Sequence, residues 1–171
     1  LEPHRGLYEE TLHRRVDGSP RRNLALTKAA LSRARTRDQS LMESLMSRQG
    51  SIVSGNSRFS AQRANEVYGA EAGVLWPCVD TGEFPEDPSS DPENPYPGEG
   101  EYVVSVGRAS FAKGTWETIS MLAGTGLSLA HVGGGDERSL GMLRGHADSS
   151  GVGLWVAPRL PSPDLVSLMR G

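Results

Sequence analysis

The sequence predicts a mixed fold, α/β or α+β, with an N-terminal helical arm followed by a small α/β layer that carries a long acidic, Pro-rich loop. Three observations lead there. Residues 21–49 contain neither Gly nor Pro and are followed by Gly50, the pattern of one long helix. Residues 81–100 gather Pro85, Pro88, Pro92, Pro95 and Pro97 among Glu83, Glu86, Asp87, Asp91, Glu93 and Glu99, a composition that opposes packing. Beyond residue 100, strand-like and helix-like runs alternate, which suits a layered fold with a small, mainly parallel sheet. The resulting boundaries are a basic helical arm over residues 1–50 and an α/β body over residues 51–171, with the loop 81–100 exposed.

Tyr8, Leu12 and Val16 recur at helical spacing and predict a short helix over 7–16, ended by Asp17-Gly18. The long helix takes Ser19 as N-cap and Pro20 as first residue. Leu24, Leu31 and Leu45, with Ala34 and Leu41, give it a narrow apolar stripe, and Asp38 interrupts the series, predicting a bend or break near Thr36-Arg37-Asp38. Residues 51–58 read as a loop. A short helix runs from an N-cap at Ser60 through Ala61, Ala64, Val67 and Tyr68 to Gly69. Gly73–Trp76 and Cys78-Val79 read as extended, with Pro77 placing them at an edge or bulge. In the last third, strands are predicted at 102–106, 127–132 and 152–156, and helices at 115–123, 136–144 and from Ser162 onward.

Charge falls in three blocks. Residues 1–63 carry twelve basic and six acidic side chains, residues 64–100 nine acidic and none basic, and residues 101–171 six of each. The basic set, with Arg21, Arg22, Arg33, Arg35 and Arg37, has three readings: a solvated helix face, pairing with the acidic loop, or contact with nucleic-acid phosphates. Only Tyr8 and Phe59 supply aromatics there, and no nucleic-acid module is evident.

Hydrophobic residues are 36% of the chain and aromatics 6%, little material for a self-sufficient core, so stability drawn from a partner chain is expected. Cys78 is the only cysteine; its neighbours Trp76, Pro77 and Val79 predict a buried, unreactive thiol. Trp76, Trp116 and Trp155 read as core anchors, with interface anchors as the alternative. No apolar run approaches the roughly 18–20 residues of a membrane span. The start, Leu1-Glu2-Pro3-His4-Arg5, has no apolar signal-peptide segment. A chain of the cytoplasm, or of a particle assembled there, is expected. The start without Met fits a processed product or a fragment.

Two constellations could carry chemistry. Gly133-Gly134-Gly135 comes after a predicted strand and precedes a helix, so it falls at the carboxyl edge of the sheet, where ligands bind. Gly lets backbone N–H groups approach a phosphate, and Ser139 adds a hydroxyl. The plainer reading is a tight turn with Asp136 as helix cap, and neither phosphate-loop fingerprint is present. His131, His146 and Asp148 form the second set. Read as extended chain, His146-x-Asp148 puts both side chains on one face as a metal pair, against a default of hydrogen-bonded or solvent-facing histidines. No cofactor is called for, and no Gly-x-Ser-x-Gly nucleophile turn exists.

The leading expectation is a non-catalytic structural or assembly protein, a subunit or fragment of a larger particle such as a viral capsid or virion. It would meet other protein subunits, its own copies or different ones, through the long helix and Trp76. One alternative is a small α/β enzyme or nucleotide-binding domain using the Gly133–Gly135 turn. The other is nucleic-acid contact by the Arg-rich arm.

Overall fold

A computed structural model of the chain describes residues 3–10, 13–21, 23–83 and 92–171, leaving aside the side chains of Arg5, Leu24, Ala25 and Glu83. The fold is mixed α/β with a long N-terminal helix. It divides into a helical unit of residues 1–13 and 20–79 and a body of residues 14–19 and 80–171. The division therefore falls near residue 80 rather than at residue 50. The long helix packs on the helix after it and forms one unit with it.

The helical unit contains α1 (Arg5–Tyr8), α2 (Leu24–Met46), β1 (Ser54–Gly55), α3 (Arg58–Tyr68) and β2 (Gly73–Val74). The helix predicted over 7–16 is replaced by the four-residue α1; Leu12 lies outside the described residues. α2 starts later than predicted because Asn23, not Ser19, caps it, its Oδ1 accepting from the Leu26 N–H at 3.3 Å. It runs unbroken through Asp38. That carboxylate is occupied: one oxygen, Oδ2, accepts from the hydroxyls of Tyr8 and Tyr68, both at 2.8 Å. The two rings meet edge to face at 6.1 Å. Arg35 Nε donates to the Leu7 carbonyl and Gln39 Nε2 to that of Val67, so α1, α2 and α3 are tied together on this side.

β1 and β2 form a parallel pair, Ser54 opposite Gly73 and Gly55 opposite Val74, with α3 as the crossover. α3 is capped by Ser57, whose hydroxyl accepts from the Ser60 N–H, and closes on Gly69 in the left-handed conformation. The predicted cap, Ser60, is instead buried and donates to Asn56. A pair of two-residue strands can cover little of the chain beyond it. Leu75, Trp76 and Val79 are exposed, and so is Cys78, contrary to the buried thiol and core anchor expected.

The body is built on β3 (Tyr102–Val106), β4 (Ser128–Val132) and β5 (Leu154–Ala157), all parallel and in sequence order. α4 (Thr115–Leu122) and α5 (Glu137–Ser150) are the crossovers, and α6 (Ser162–Arg170) closes the chain. Successive crossovers of one hand put α4 and α5 on the same face. The period-2 alternation of the strands divides the core accordingly. Val103, Leu129, Leu154 and Val156 belong to one cluster with Ile119, Leu122, Leu140 and Leu143. Val104, Ala130, Val132 and Trp155 belong to the other, with Leu165 and Leu168 of α6.

Two far segments complete these clusters. Val16, fully buried, joins the α4/α5 side. Tyr96 joins the α6 side, its ring tilted against Tyr102 at 4.3 Å and edge-on to Trp155 at 6.0 Å. Asn94 Nδ2 donates to the Tyr102 hydroxyl (2.7 Å), which donates to the Leu168 carbonyl (2.9 Å). Thus the second half of the predicted exposed loop is partly docked, with Asn94, Pro95 and Tyr96 half-buried. Residues 84–91 lie outside the described residues. Among the described residues no helix is long and apolar enough to cross a membrane.

Candidate functional site

The three strands point their carboxyl ends at one edge, where each continues into a loop. The backbone ladder extends past the strands. Gly107 N–H donates to the Val132 carbonyl (2.9 Å), Gly133 N–H to that of Ala157 (2.8 Å), and Ala109 N–H to that of Gly134 (2.9 Å). The loops after β3 and β4 are thereby zipped side by side. Only glycine fits at Gly133, because a Cβ there would strike the carbonyl of Gly107. At Gly135 it would crowd the Ala109 methyl at 2.8 Å, whereas Gly134 faces open space.

A cleft of about 690 Å³ opens over this edge, within the range of small-molecule sites. Its glycine floor is Gly107 and Gly133–Gly135; its apolar walls are Val106, Val132, Pro158, Leu160 and Leu165. Its charged groups are Arg108, Arg159 and Asp136. Arg108 and Arg159 each stand two residues beyond the end of a strand, β3 and β5. Neither has a hydrogen bond or ion pair among the described residues. A third cation, Lys113, lies close by, its side-chain carbons within 3.4–3.6 Å of where a Gly107 Cβ would be.

The carboxylate in the lining is committed elsewhere. Asp136 Oδ1 accepts from the Ser139 N–H (2.8 Å) and Oδ2 from the Ser139 hydroxyl (3.0 Å), capping α5. This has two consequences for the glycine turn. Gly133, Gly134 and Gly135 line the cleft, while Ser139 is buried in the cap and absent from the lining. Asp136 and Glu137 oppose the partial positive charge of the α5 N-terminus, so the positive charge of the lining is that of Arg108 and Arg159.

The other predicted set is scattered. α5 continues to Ser150, so His146 and Asp148 sit on a helix, two residues apart and on divergent faces, rather than on an extended strand. His146 stacks flat on Trp116, ring centres 3.8 Å apart, and its Nε2 is 2.8 Å from the Ser120 hydroxyl. Asp148 is exposed. His131 is wholly buried in β4; its Nδ1 is 3.3 Å from Ser105 Oγ on the paired strand, and burial lowers its pKa below the usual imidazole value. His131 Nε2 and Thr115 Oγ1, at the start of α4, are buried without a hydrogen-bond partner among the described residues. No group of His, Cys, Asp or Glu among those residues is arranged to hold a metal ion.

Of the arginines predicted as an interface, Arg21, Arg33 and Arg37 are exposed, Arg35 holds the Leu7 carbonyl, and Arg22 lies outside the described residues. The cleft cations Arg108 and Arg159 are not singled out by the sequence alone. Their signal is positional, a cation just past a strand end, and it becomes visible only with the strand order.

No protein-family model matches the chain, and no curated protein matches it.

Proposed function

We propose that the body is a phosphate-ligand-binding domain whose ligand is a nucleotide held over the carboxyl edge of β3, β4 and β5. One observation carries this reading: Arg108 and Arg159 both line the cleft at that edge, with no anion paired to them among the described residues, beside backbone stripped of side chains by Gly107 and Gly133–Gly135. Unpaired guanidinium groups are suited to bidentate phosphate contact. The edge itself is where open parallel sheets take their ligands. The walls of Val106, Pro158, Leu160 and Leu165 suit the flat, less polar remainder of a nucleotide rather than a bare inorganic ion. The cleft lining supplies binding groups; its carboxylate, Asp136, serves as a helix cap, so no general acid or base is assigned.

The test is calorimetric titration of the full chain with ADP, UDP and GDP at low and high salt. Binding that weakens with salt and depends on Arg108 and Arg159 is the expected result. No heat from any of the three at millimolar concentration in low salt would sink the reading.

A second reading, assembly with other protein subunits as in a capsid or other particle, is favoured by a different observation. The helical unit exposes Ile52 (91%), Leu75 (71%), Trp76 (60%) and Val79 (70%). Apolar side chains this numerous on one small unit suit a protein interface. Light scattering on the wild-type chain and on Ile52→Glu/Leu75→Glu tests it. A defined oligomer that the substitutions dissociate supports assembly, and a monomer in both removes it.

A further inference from the structure

We propose that the turn Arg14–Ser19 is a positioning element for the loop Gly107–Gly114, which carries Arg108 and Lys113, and that it acts through Phe111. The inference rests on the phosphate reading above. Backbone bonds hold the loop at its two ends, Gly107 N–H to the Val132 carbonyl at one and Lys113 N–H to the Ser110 carbonyl and Gly114 N–H to that of Phe111 at the other. Glycines stand at both ends, and Ala109 N–H to the Gly134 carbonyl fastens its first part. Phe111 sits in a single 3-10 turn, Phe111–Lys113, between the two cations.

The turn from the start of the chain grips that ring. Gly18 lies against it: a Cβ on Gly18 would approach Phe111 Cε2 to 3.0 Å, and Gly18 has φ +80°. The Arg14 guanidinium stands 5.8 Å from the ring centre while its Nη1 donates to the Gly18 carbonyl at 2.8 Å. Val16 is buried in the cluster that includes Ala109 and Ile119. The turn is itself rigid. Arg15 N–H donates to Ser19 O (2.7 Å), Gly18 N–H to Arg15 O (2.9 Å), and Asp17 Oδ1 accepts from both the N–H and the hydroxyl of Ser19. A rigid turn on a glycine-flanked loop removes loop freedom before the ligand arrives, so less is lost on binding.

Gly18→Ala strains the turn and drives into the ring, and Phe111→Ser removes the ring; Phe111→Leu restores an apolar anchor. The probe is inorganic pyrophosphate, titrated calorimetrically into the full-length chain at several salt concentrations. Gly18→Ala and Phe111→Ser are expected to weaken binding by about ten-fold, with unchanged stoichiometry and a shallower salt dependence, and Phe111→Leu to recover most of the loss. Amide exchange without ligand is the second measurement: in Gly18→Ala, Ala109 and Lys113 should lose protection while strand amides keep theirs. If the wild type binds and the variants bind equally well, the positioning role is wrong and the phosphate reading stands. A fall in stoichiometry at unchanged affinity and salt slope would mean simple unfolding, and would also overturn the role. If the wild type takes up neither pyrophosphate nor a nucleotide, both readings fall. Unchanged exchange at Ala109 and Lys113 overturns the clamp whatever the ligand result.

Discussion

The carbonyl of Gly107 fills the space that a side chain on Gly133 would need. The same glycine donates its N–H to Val132, so the strand ends cannot separate to make room without losing a ladder bond. Gly133→Ala is expected to destabilise the body by about 2–3 kcal/mol. Gly134→Ala, with open space around it, should cost under about 0.5 kcal/mol. Urea unfolding of the two variants decides the matter; equal midpoints would mean that the two loops are not packed as described.

Arg108 and Arg159 are exposed and unpaired among the described residues, so removing either charge should leave the fold intact. Each Arg→Ala change is expected to weaken nucleoside diphosphate binding by about ten- to a hundred-fold, the worth of a charged hydrogen bond, and to flatten its salt dependence. The exposed arm residues Arg33 and Arg37 serve as controls: their loss should leave binding unchanged. A nucleotide that responds to the arm and not to the cleft would move the site.

His131 offers a pH test. Burial holds its folded-state pKa below the ordinary value near 6.5. The unfolded chain therefore binds the proton more readily, and protonation favours unfolding. Stability should be full above about pH 6.5 and should fall as pH drops from there through the lowered folded value. His131→Asn should start less stable but show a flatter slope over that range. Parallel slopes for the two proteins in thermal melts at a series of pH values would exclude His131 as the titrating group.

Asp38 Oδ2 accepts two phenol hydrogens, and that arrangement predicts an alkaline signature. Burial first, and then the carboxylate beside it, push the Tyr8 hydroxyl up to about 12, and Tyr68 shifts the same way for the same reasons. Stability from the pair is complete below the ordinary tyrosine value near 10 and is lost as pH rises beyond it, because the unfolded phenols ionise first. Tyr8→Phe and Tyr68→Phe should each cost about 1 kcal/mol and each remove a late step from the ultraviolet phenolate titration. If Tyr8→Phe or Tyr68→Phe instead removes a step near pH 10, the ordinary phenol value, the shared carboxylate is contradicted.

Legibility of these features in the sequence depends on whether the signal is local. β3, β4 and β5 are readable because apolar runs such as Tyr102–Val106 lie between turn residues, and parallel pairing comes from the alternation with helices. α5 passes through Gly145, beyond the end that the sequence predicts, because Leu143 and Ala147 bury the same helix face and packing outweighs one glycine. Ending the helix early makes His146 and Asp148 look like a strand pair. The glycine part of the cleft is legible because three consecutive glycines stand out. Arg108 and Arg159 are not, since only the sheet order brings two distant loops together. Tyr8, Asp38 and Tyr68 are separated by thirty residues each way, beyond any periodicity.

Val16 leaves the ribosome long before any strand it will pack with. Because β3, β4 and β5 are neighbours in both sequence and space, the body can assemble in the order of its synthesis, strand upon strand. Its core nevertheless includes Val16, which is made well before β3, so that contact waits for chain far downstream to emerge. The entropy of closing so long a loop grows only slowly with length, so the delay falls on folding time more than on final stability. The body's core is thus complete only when chain on both sides of the helical unit, Val16 before it and the strands after it, has been made.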